Sequence, residues 1–255
     1  MLGLGILLTW ILGPVGNFHL YLPDFPFTLP PMSKGIFITG TDTGIGKTVV
    51  SCVLLEKLKQ AGYKVQGMKP VASGCERSPD GLRNEDAELL MLHSSVDREY
   101  GHVNPYAFEP PIAPHLAATL ADSKINFDVI QQQYNQLQDG IDYIVVEGVG
   151  GWLVPLNESQ SVADLAVFLD LPVLLVVGIR LGAINHALLS YEAIVQSGQH
   201  CIGWVANIVE AEMLYADETI AAIEKRLKTP LMGVLPCEPA LDLERMAGYL
   251  DISRI

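Results

Sequence analysis

Ile36-Phe37-Ile38-Thr39-Gly40-Thr41-Asp42-Thr43-Gly44-Ile45-Gly46-Lys47-Thr48 reads as an apolar strand that runs into a glycine-bearing loop and then into a helix. An anion with several oxygens is held best by backbone N–H groups turned inward by a tight loop and by a helix N-terminus, and glycines let the main chain come close. Lys47 supplies a mobile positive charge for β and γ phosphates, and Thr48 a hydroxyl for a Mg²⁺ that bridges them. The strict phosphate-loop pattern G-x-x-x-x-G-K-[ST] wants glycine at position 41, where this chain has Thr41, with Gly40 one residue earlier. The motif is therefore a variant one residue longer. A chance G-K-T is common, but here the context is right, because Val53, Leu54 and Leu58 continue at helical spacing and Gly62 follows as a stop.

The chain has 255 residues, enough for one or two domains at about 150 residues each. With 29 acidic and 16 basic residues its formal net charge is −13, which argues against nucleic acid or an anionic membrane as a partner. Cys52, Cys75, Cys201 and Cys237 show no C-x-x-C spacing and read as reduced thiols of a cytoplasmic protein. Residues 1–32 stand apart. Leu2 to Leu12 is an apolar run too short to span a bilayer, which takes about 20 residues, and no basic residue precedes it. Pro14, Pro23, Pro26, Pro30 and Pro31 follow, and Met32 stands next to the first core strand. The simplest reading starts translation at Met32 and leaves 33–255 as a single domain.

From Ser33 onward, short apolar runs recur at 35–39, 64–68, 142–146, 172–177, 202–206 and 231–235, most of them separated by helical patterns. That alternation specifies a three-layer α/β fold with a mostly parallel central sheet flanked by helices. Ligands of such sheets bind beyond the carboxyl ends of the strands. Lys69 and Ser73 follow the second run, Glu147-Gly148-Val149-Gly150 the third, and Asn207 ends the fifth. Lys69, held extended by Pro70, is either an ordinary surface lysine or a charge stabiliser beside the phosphates. Ser73, in a small-residue loop, is a turn serine or a substrate donor. Asp86, in the first turn of a helix capped by Asn84, complements the helix dipole or ligates Mg²⁺. An acid directly after a buried strand, as Glu147 is, is the usual metal-side group of a phosphate-loop enzyme, and Thr48, Asp86 and Glu147 suffice for Mg²⁺ with phosphates and water. The N–H groups of a helix opening at Gly182–Ala187 suit a carboxylate; an ordinary helix start is the commoner case.

Seven blocks in order, GTDTGIGKT at 40–48, KPVASG at 69–74, GLRNEDA at 81–87, VNPYAF at 103–108, VEGVGG at 146–151, LGAINHA at 181–187 and GWVAN at 203–207, resemble the dethiobiotin synthetase family from about Ser33 to the end of the chain. The resemblance implies an ATP-dependent cyclo-ligase that makes dethiobiotin, ADP and phosphate from 7,8-diaminononanoate, CO₂ and MgATP by way of a carbamate and a carbamic-phosphoric anhydride. It implies Lys69 and Lys47 as catalytic lysines, and Gly44, Ile45, Gly46, Lys47, Thr48 and Val49 around the triphosphate. Thr48, Asp86 and Glu147 match the metal positions. Asp86, Glu147 and Gly148 to Gly150 also fall among the nucleotide contacts, as do Asn207, Ile208, Pro236, Cys237 and Glu238, with Asn207 and 236–238 toward adenine. Ser73 and Asn185 match substrate contacts, with the 181–187 segment meeting the substrate's carboxylate tail near the two-fold interface of a homodimer. Some relatives carry an acid where this chain has Gly44, which leaves that position a backbone donor only.

Two other classes compete with this reading. Switch ATPases of the partitioning and septum-placement type share the general fold but carry a lysine five residues before that of GKT, where this chain has Asp42. A membrane-tethered ATPase anchored by residues 2–12 is opposed by the shortness of the run and the prolines after it.

Overall fold

The six apolar runs form the strands of one sheet, with side chains buried on both of its faces. The computed structural model describes residues 33–238 and 241–255; the expectations for residues 1–32 lie outside the described residues. Among the latter, six strands form the principal sheet: β1 (Lys34–Gly40), β2 (Val65–Met68), β7 (Tyr143–Glu147), β8 (Val173–Ile179), β9 (Cys201–Ile208) and β10 (Leu231–Leu235). Their spatial order is β10-β9-β8-β1-β7-β2, and every neighbouring pair is parallel.

Alternation explains why both faces are covered. Successive side chains of a strand point to opposite faces, and Ile36 and Ile38 of β1 join one buried cluster while Phe37 joins the other. Tyr143 and Val145 of β7 divide from Ile144 and Val146 in the same way. One cluster is closed by α1 (Lys47–Gln60), which contributes Val50, Val53, Leu54 and Leu58, and by Met246 of the short α9 (Leu243–Met246). The other is closed by helices that include α5 (Phe127–Leu137), α6 (Val162–Phe168) and α7 (Ala183–Gln196). Each fully buried Leu, Ile or Phe contributes about 1.5–3 kcal/mol, so a strand with two apolar faces is fixed in the sheet by both layers.

β1 is central, yet the chain leaves it first toward β2 and only later reaches β8 on its other side. That reversal marks a crevice at the carboxyl ends of the strands. Register then levels the groups that leave the sheet there. Ile38 pairs with Glu147 and Met68 with Val146, so Glu147 and Lys69 emerge at one height beside the loop that follows Gly40.

Two small sheets sit over this end and were not foreseen. β3 (Val71–Ser73) pairs with β6 (Tyr106–Phe108) in parallel, and β4 (Glu76–Ser78) with β5 (Gly81–Arg83) antiparallel. Ser73, read from sequence as lying in a loop, is instead the last residue of β3, paired with Phe108. β9 runs to Ile208, so Asn207 lies within the strand. No helix of the described residues is long and apolar enough to cross a membrane.

Candidate active site

The loop after β1 turns into α1 at Gly46, whose φ of 83° is one that L side chains rarely adopt. Only glycine fits there for a second reason: an added Cβ would collide with the Asn207 side chain, which donates from Nδ2 to the Ile45 carbonyl at 2.7 Å. Gly178 of β8 is equally tight, since a Cβ would stand 2.6 Å from Ile45 Cγ2. The loop is thus pinned from below by Ile45 and from the side by Asn207.

Lys47 is buried, and its Nζ donates to the Asp42 carbonyl at 2.9 Å. Burial and then the neighbouring Lys69 ammonium lower its pKa to about 8. Thr48 Oγ1 donates to Glu147 Oε1 at 2.9 Å. The same carboxylate oxygen accepts from Lys69 Nζ at 2.6 Å, and Lys69 also donates to Asp86 Oδ2 at 2.8 Å and the Gly148 carbonyl at 3.3 Å. Lys69 is therefore no surface lysine: its side chain is 4% exposed and that of Glu147 is fully buried, while Asp86 keeps 39% of its side chain in solvent. Burial pulls the Lys69 pKa down, but the Glu147 and Asp86 carboxylates overcome it and hold the ammonium charged above its usual range. Burial opposes ionisation of Asp86, and the Lys69 charge outweighs it, so that carboxyl is held below its usual range.

Three elements place this cluster. Asp86 rides in the first turn of α2 (Glu85–Leu92), whose N-cap Asn84 accepts from Ala87 N, as its spacing foretold. Lys69 is fixed through its backbone: its N–H donates to the Val103 carbonyl, and its own carbonyl accepts from Asn104 Nδ2 at 2.6 Å. Tyr100 links the two, donating to Asn104 Oδ1 at 2.9 Å and accepting from Asn84 N at 2.8 Å. Tyr100 and Asn104 are positioning residues that the sequence reading missed, although Asn104 lies within one of its seven blocks; nothing in the spacing shows that they join α2 to the end of β2.

The residues fit Mg²⁺. Thr48 offers a hydroxyl, Asp86 a half-exposed carboxylate, and Glu147 Oε2 is buried without a hydrogen-bond partner among the described residues. Hard oxygens, two of them carboxylate, are the set Mg²⁺ takes when phosphates and water complete the octahedron. Ser73 Oγ is likewise buried without a hydrogen-bond partner among the described residues. Gly148 donates to the Ile38 carbonyl at 2.9 Å, and Gly150, with φ 62°, brings the turn against the phosphate loop. Val149 is partly buried against the core. Gly44, also at positive φ, is open to solvent on its Cβ side.

Ile208 ends β9, and Pro236, Cys237 and Glu238 follow β10, where Glu238 pairs with Arg245. A cavity of about 500 Å³ runs from Thr48, Val49 and Cys52 to the 241–244 segment. Asn185 stands apart on the exposed first turn of α7.

A parallel sheet whose central strand feeds a glycine loop, a buried lysine and a threonine-led helix defines a phosphate-loop nucleotide-binding protein. In fold the chain is similar to the MinC:MinD cell division protein complex of Aquifex aeolicus, with a TM-score of 0.52, 19% identity, and coverage of 84% of this chain and 86% of that one. Residues 34–245 match a family described as an AAA domain. The ATP-dependent dethiobiotin synthetase BioD of Nitrosospira multiformis is 47% identical over 224 residues, 88% of this chain and 97% of its own length. The enzyme of the same name from Xanthomonas axonopodis pv. citri is 46% identical over 86% of this chain and 97% of its own. The chain belongs to the ATP-dependent dethiobiotin synthetase family, cyclo-ligases of biotin biosynthesis that use ATP as co-substrate.

Proposed function

We propose that this enzyme carboxylates 7,8-diaminononanoate with CO₂ and closes the ureido ring of dethiobiotin, releasing ADP and phosphate. One substrate amine takes up CO₂ as a carbamate, a carbamate oxygen attacks the γ-phosphate, and the second amine closes the ring on the mixed anhydride as phosphate leaves. The observation that carries this reading is the Lys69 ammonium, buried and charged between Asp86 and Glu147 and one short strand from the unpartnered hydroxyl of Ser73. A reaction between two anions, carbamate and triphosphate, asks the protein mainly for positioning and positive charge.

In this reading the N–H groups of 44–49 and the Lys47 ammonium hold the triphosphate, and Lys69 holds the carbamate oxygen against the γ-phosphate and offsets the charge that builds during transfer. Thr48, Asp86 and Glu147 hold Mg²⁺, which when bound neutralises the β and γ phosphates. Lys69 bridges the two carboxylates that would also hold the cation, so its ammonium and the cation would share them and Lys69 sits within reach of the same phosphates. Asn207, Ile208 and 236–238 receive adenine, with the cavity beside Val49 next to the nucleoside end. Ser73 orients the diamine.

The substrate's carboxylate tail lies against 181–187 and Asn185. Leu181 is 97% and Leu189 62% exposed, and with Asn185 they follow one another at four-residue spacing. Two exposed leucines on either side of Asn185, one before α7 and one on it, are a surface that a second copy would cover, which supports a homodimer. Residues 33–255 are the functional domain, acting in the cytoplasm where ATP is supplied.

The test is phosphate release from MgATP and bicarbonate with and without 7,8-diaminononanoate. Release that depends on the diamine, with a cyclic urea identified by mass, is the expected result. Release that ignores the diamine would remove the substrate assignment and Ser73 with it.

A further inference from the structure

The phosphate loop carries an acid of its own. Asp42 lies between Gly40 and Gly44, at the mouth of a cradle that must accept a polyanion, and an uncompensated carboxylate there opposes binding. The structure supplies the compensation from across the sheet. Arg180, the residue after β8, pairs its guanidinium with Asp42 Oδ2. Asp42 Oδ1 accepts from Thr43 N at 2.7 Å, and the Asp42 carbonyl is the acceptor for Lys47 Nζ. One residue therefore ties down a distant arginine, the next loop amide and the lysine meant for the phosphates.

Arg180 is fixed at its other end as well. Its carbonyl accepts from Ala183 N at 3.0 Å, closing the turn through Gly182 into α7. β8 is the neighbour of β1, with Gly40 level with Val176 and Thr41 N donating to the Val176 carbonyl at 3.0 Å. The side chains of Arg180 and Asp42 are 33% and 47% exposed, and an ion pair that open to water contributes little to stability. Its consequence lies in the charge and shape of the loop.

We propose that Arg180 is a positioning residue for the triphosphate: it cancels the Asp42 charge at the entrance and holds the loop so that its amides and Lys47 face the phosphates. The proposal rests on the reading of residues 44–49 as the triphosphate cradle. Because Arg180 also opens the turn into α7, it makes the phosphate loop and the proposed tail-binding segment one mechanical unit.

The experiment is a double-mutant cycle on the full chain, with MgATP affinity by calorimetry, steady-state kcat and KM, and melting temperature for each protein. Arg180→Met leaves Asp42 unopposed, and the Kd and KM for MgATP rise about tenfold while kcat at saturation stays within about threefold. Arg180→Lys keeps the charge and recovers most of that loss. Asp42→Asn alone binds MgATP as tightly as the parent or more so, and Arg180→Met combined with Asp42→Asn returns to near the parent Kd. Unchanged nucleotide affinity in Arg180→Met overturns the proposal. So does equal weakening by Asp42→Asn with no recovery in the double variant, the pattern of a brace that acts through shape alone. A parent protein that binds no MgATP overturns the cradle reading, and this proposal falls with it.

Discussion

Replacing Lys69 by Met removes the one ammonium that Asp86 and Glu147 share, and the structure sets the size of the effect. Breaking a buried pair by deleting one partner costs about 3–5 kcal/mol, because a charge is left without compensation. Here Glu147 is fully buried and keeps only the Thr48 hydroxyl on Oε1, while Asp86 is 39% exposed and partly solvated. The lower end, about 3 kcal/mol, is the appropriate figure. For a domain of this size each kcal/mol moves Tm by about 2–4 °C, so Lys69→Met should melt about 6–12 °C below the parent in a chelator. If Asp86, Glu147 and Thr48 hold Mg²⁺, the variant, freed of the competing ammonium, binds the cation more tightly than the parent, and a Kd tighter by about a hundredfold restores about 2.7 kcal/mol of the difference between them. The deficit should then shrink to a few degrees with Mg²⁺ and ATP. Turnover should fall by about 10²–10³ at intact MgATP affinity, the usual effect of deleting one preorganised charge at a transition state. The assays are thermal melts in chelator and in MgATP beside diamine-dependent phosphate release. Equal melting in chelator, or a deficit that Mg²⁺ leaves untouched, would refute the shared-carboxylate reasoning; undiminished turnover would remove Lys69 from the chemistry.

Gly46→Ala forces φ 83° on an alanine and drives its Cβ into Asn207, so MgATP binding should be lost together with about 1–3 kcal/mol of stability, read by calorimetry and melting. Retained affinity would show that the loop relaxes. Ser73→Ala should raise KM for the diamine about tenfold and leave MgATP affinity unchanged, since only the substrate hydrogen bond is removed. With Lys47 at about 8 in the free protein, binding of an anion raises its pKa. Binding above pH 8 therefore takes up a proton, and MgATP affinity falls as pH climbs from about 8 to about 9.5, by up to about tenfold per unit. Calorimetry in buffers of different ionisation enthalpy measures that uptake, and a flat profile counts against Lys47 as the phosphate lysine. A protein beginning at Met32 should retain full diamine-dependent activity, as a comparison of specific activities will show; loss of activity would give residues 1–31 a role in the enzyme.

The principal sheet was legible because β1, β7 and β8 are buried on both faces and appear as runs rich in Ile, Val and Leu, whereas the short β2, Val-Gln-Gly-Met, carries a weaker signal. The phosphate loop and the Asn84 cap were legible because backbone geometry demands particular residues there. The small sheets were not, since three-residue strands are shorter than any periodicity that could reveal them. A signal existed for one: Ser78-Pro79-Asp80-Gly81 is a turn sequence, and Gly81 takes the positive φ that such turns use. Lys69 stood undecided between surface and site because burial depends on the β3–β6 pair and on Asn104, neither of which local sequence announces. The Arg180–Asp42 pair belongs to the same group: two charged residues far apart in the chain carry no mutual signal until β8 is known to lie beside β1.

That central place of β1 bears on how the enzyme comes to life on the ribosome. β1 and its loop are synthesised before the rest of the fold, yet their sheet neighbours are Tyr143–Glu147 on one side and Val173–Gly178 on the other. Until these and β9 have emerged, the Gly46 turn lacks its Asn207 tether, Ile45 has no Gly178 to rest on, and Thr48 has no Glu147. Parallel pairings between such distant segments form slowly. A nascent or prematurely terminated chain therefore cannot sequester ATP with its first-made motif, and nucleotide binding reports on completion of the sheet rather than on appearance of the loop.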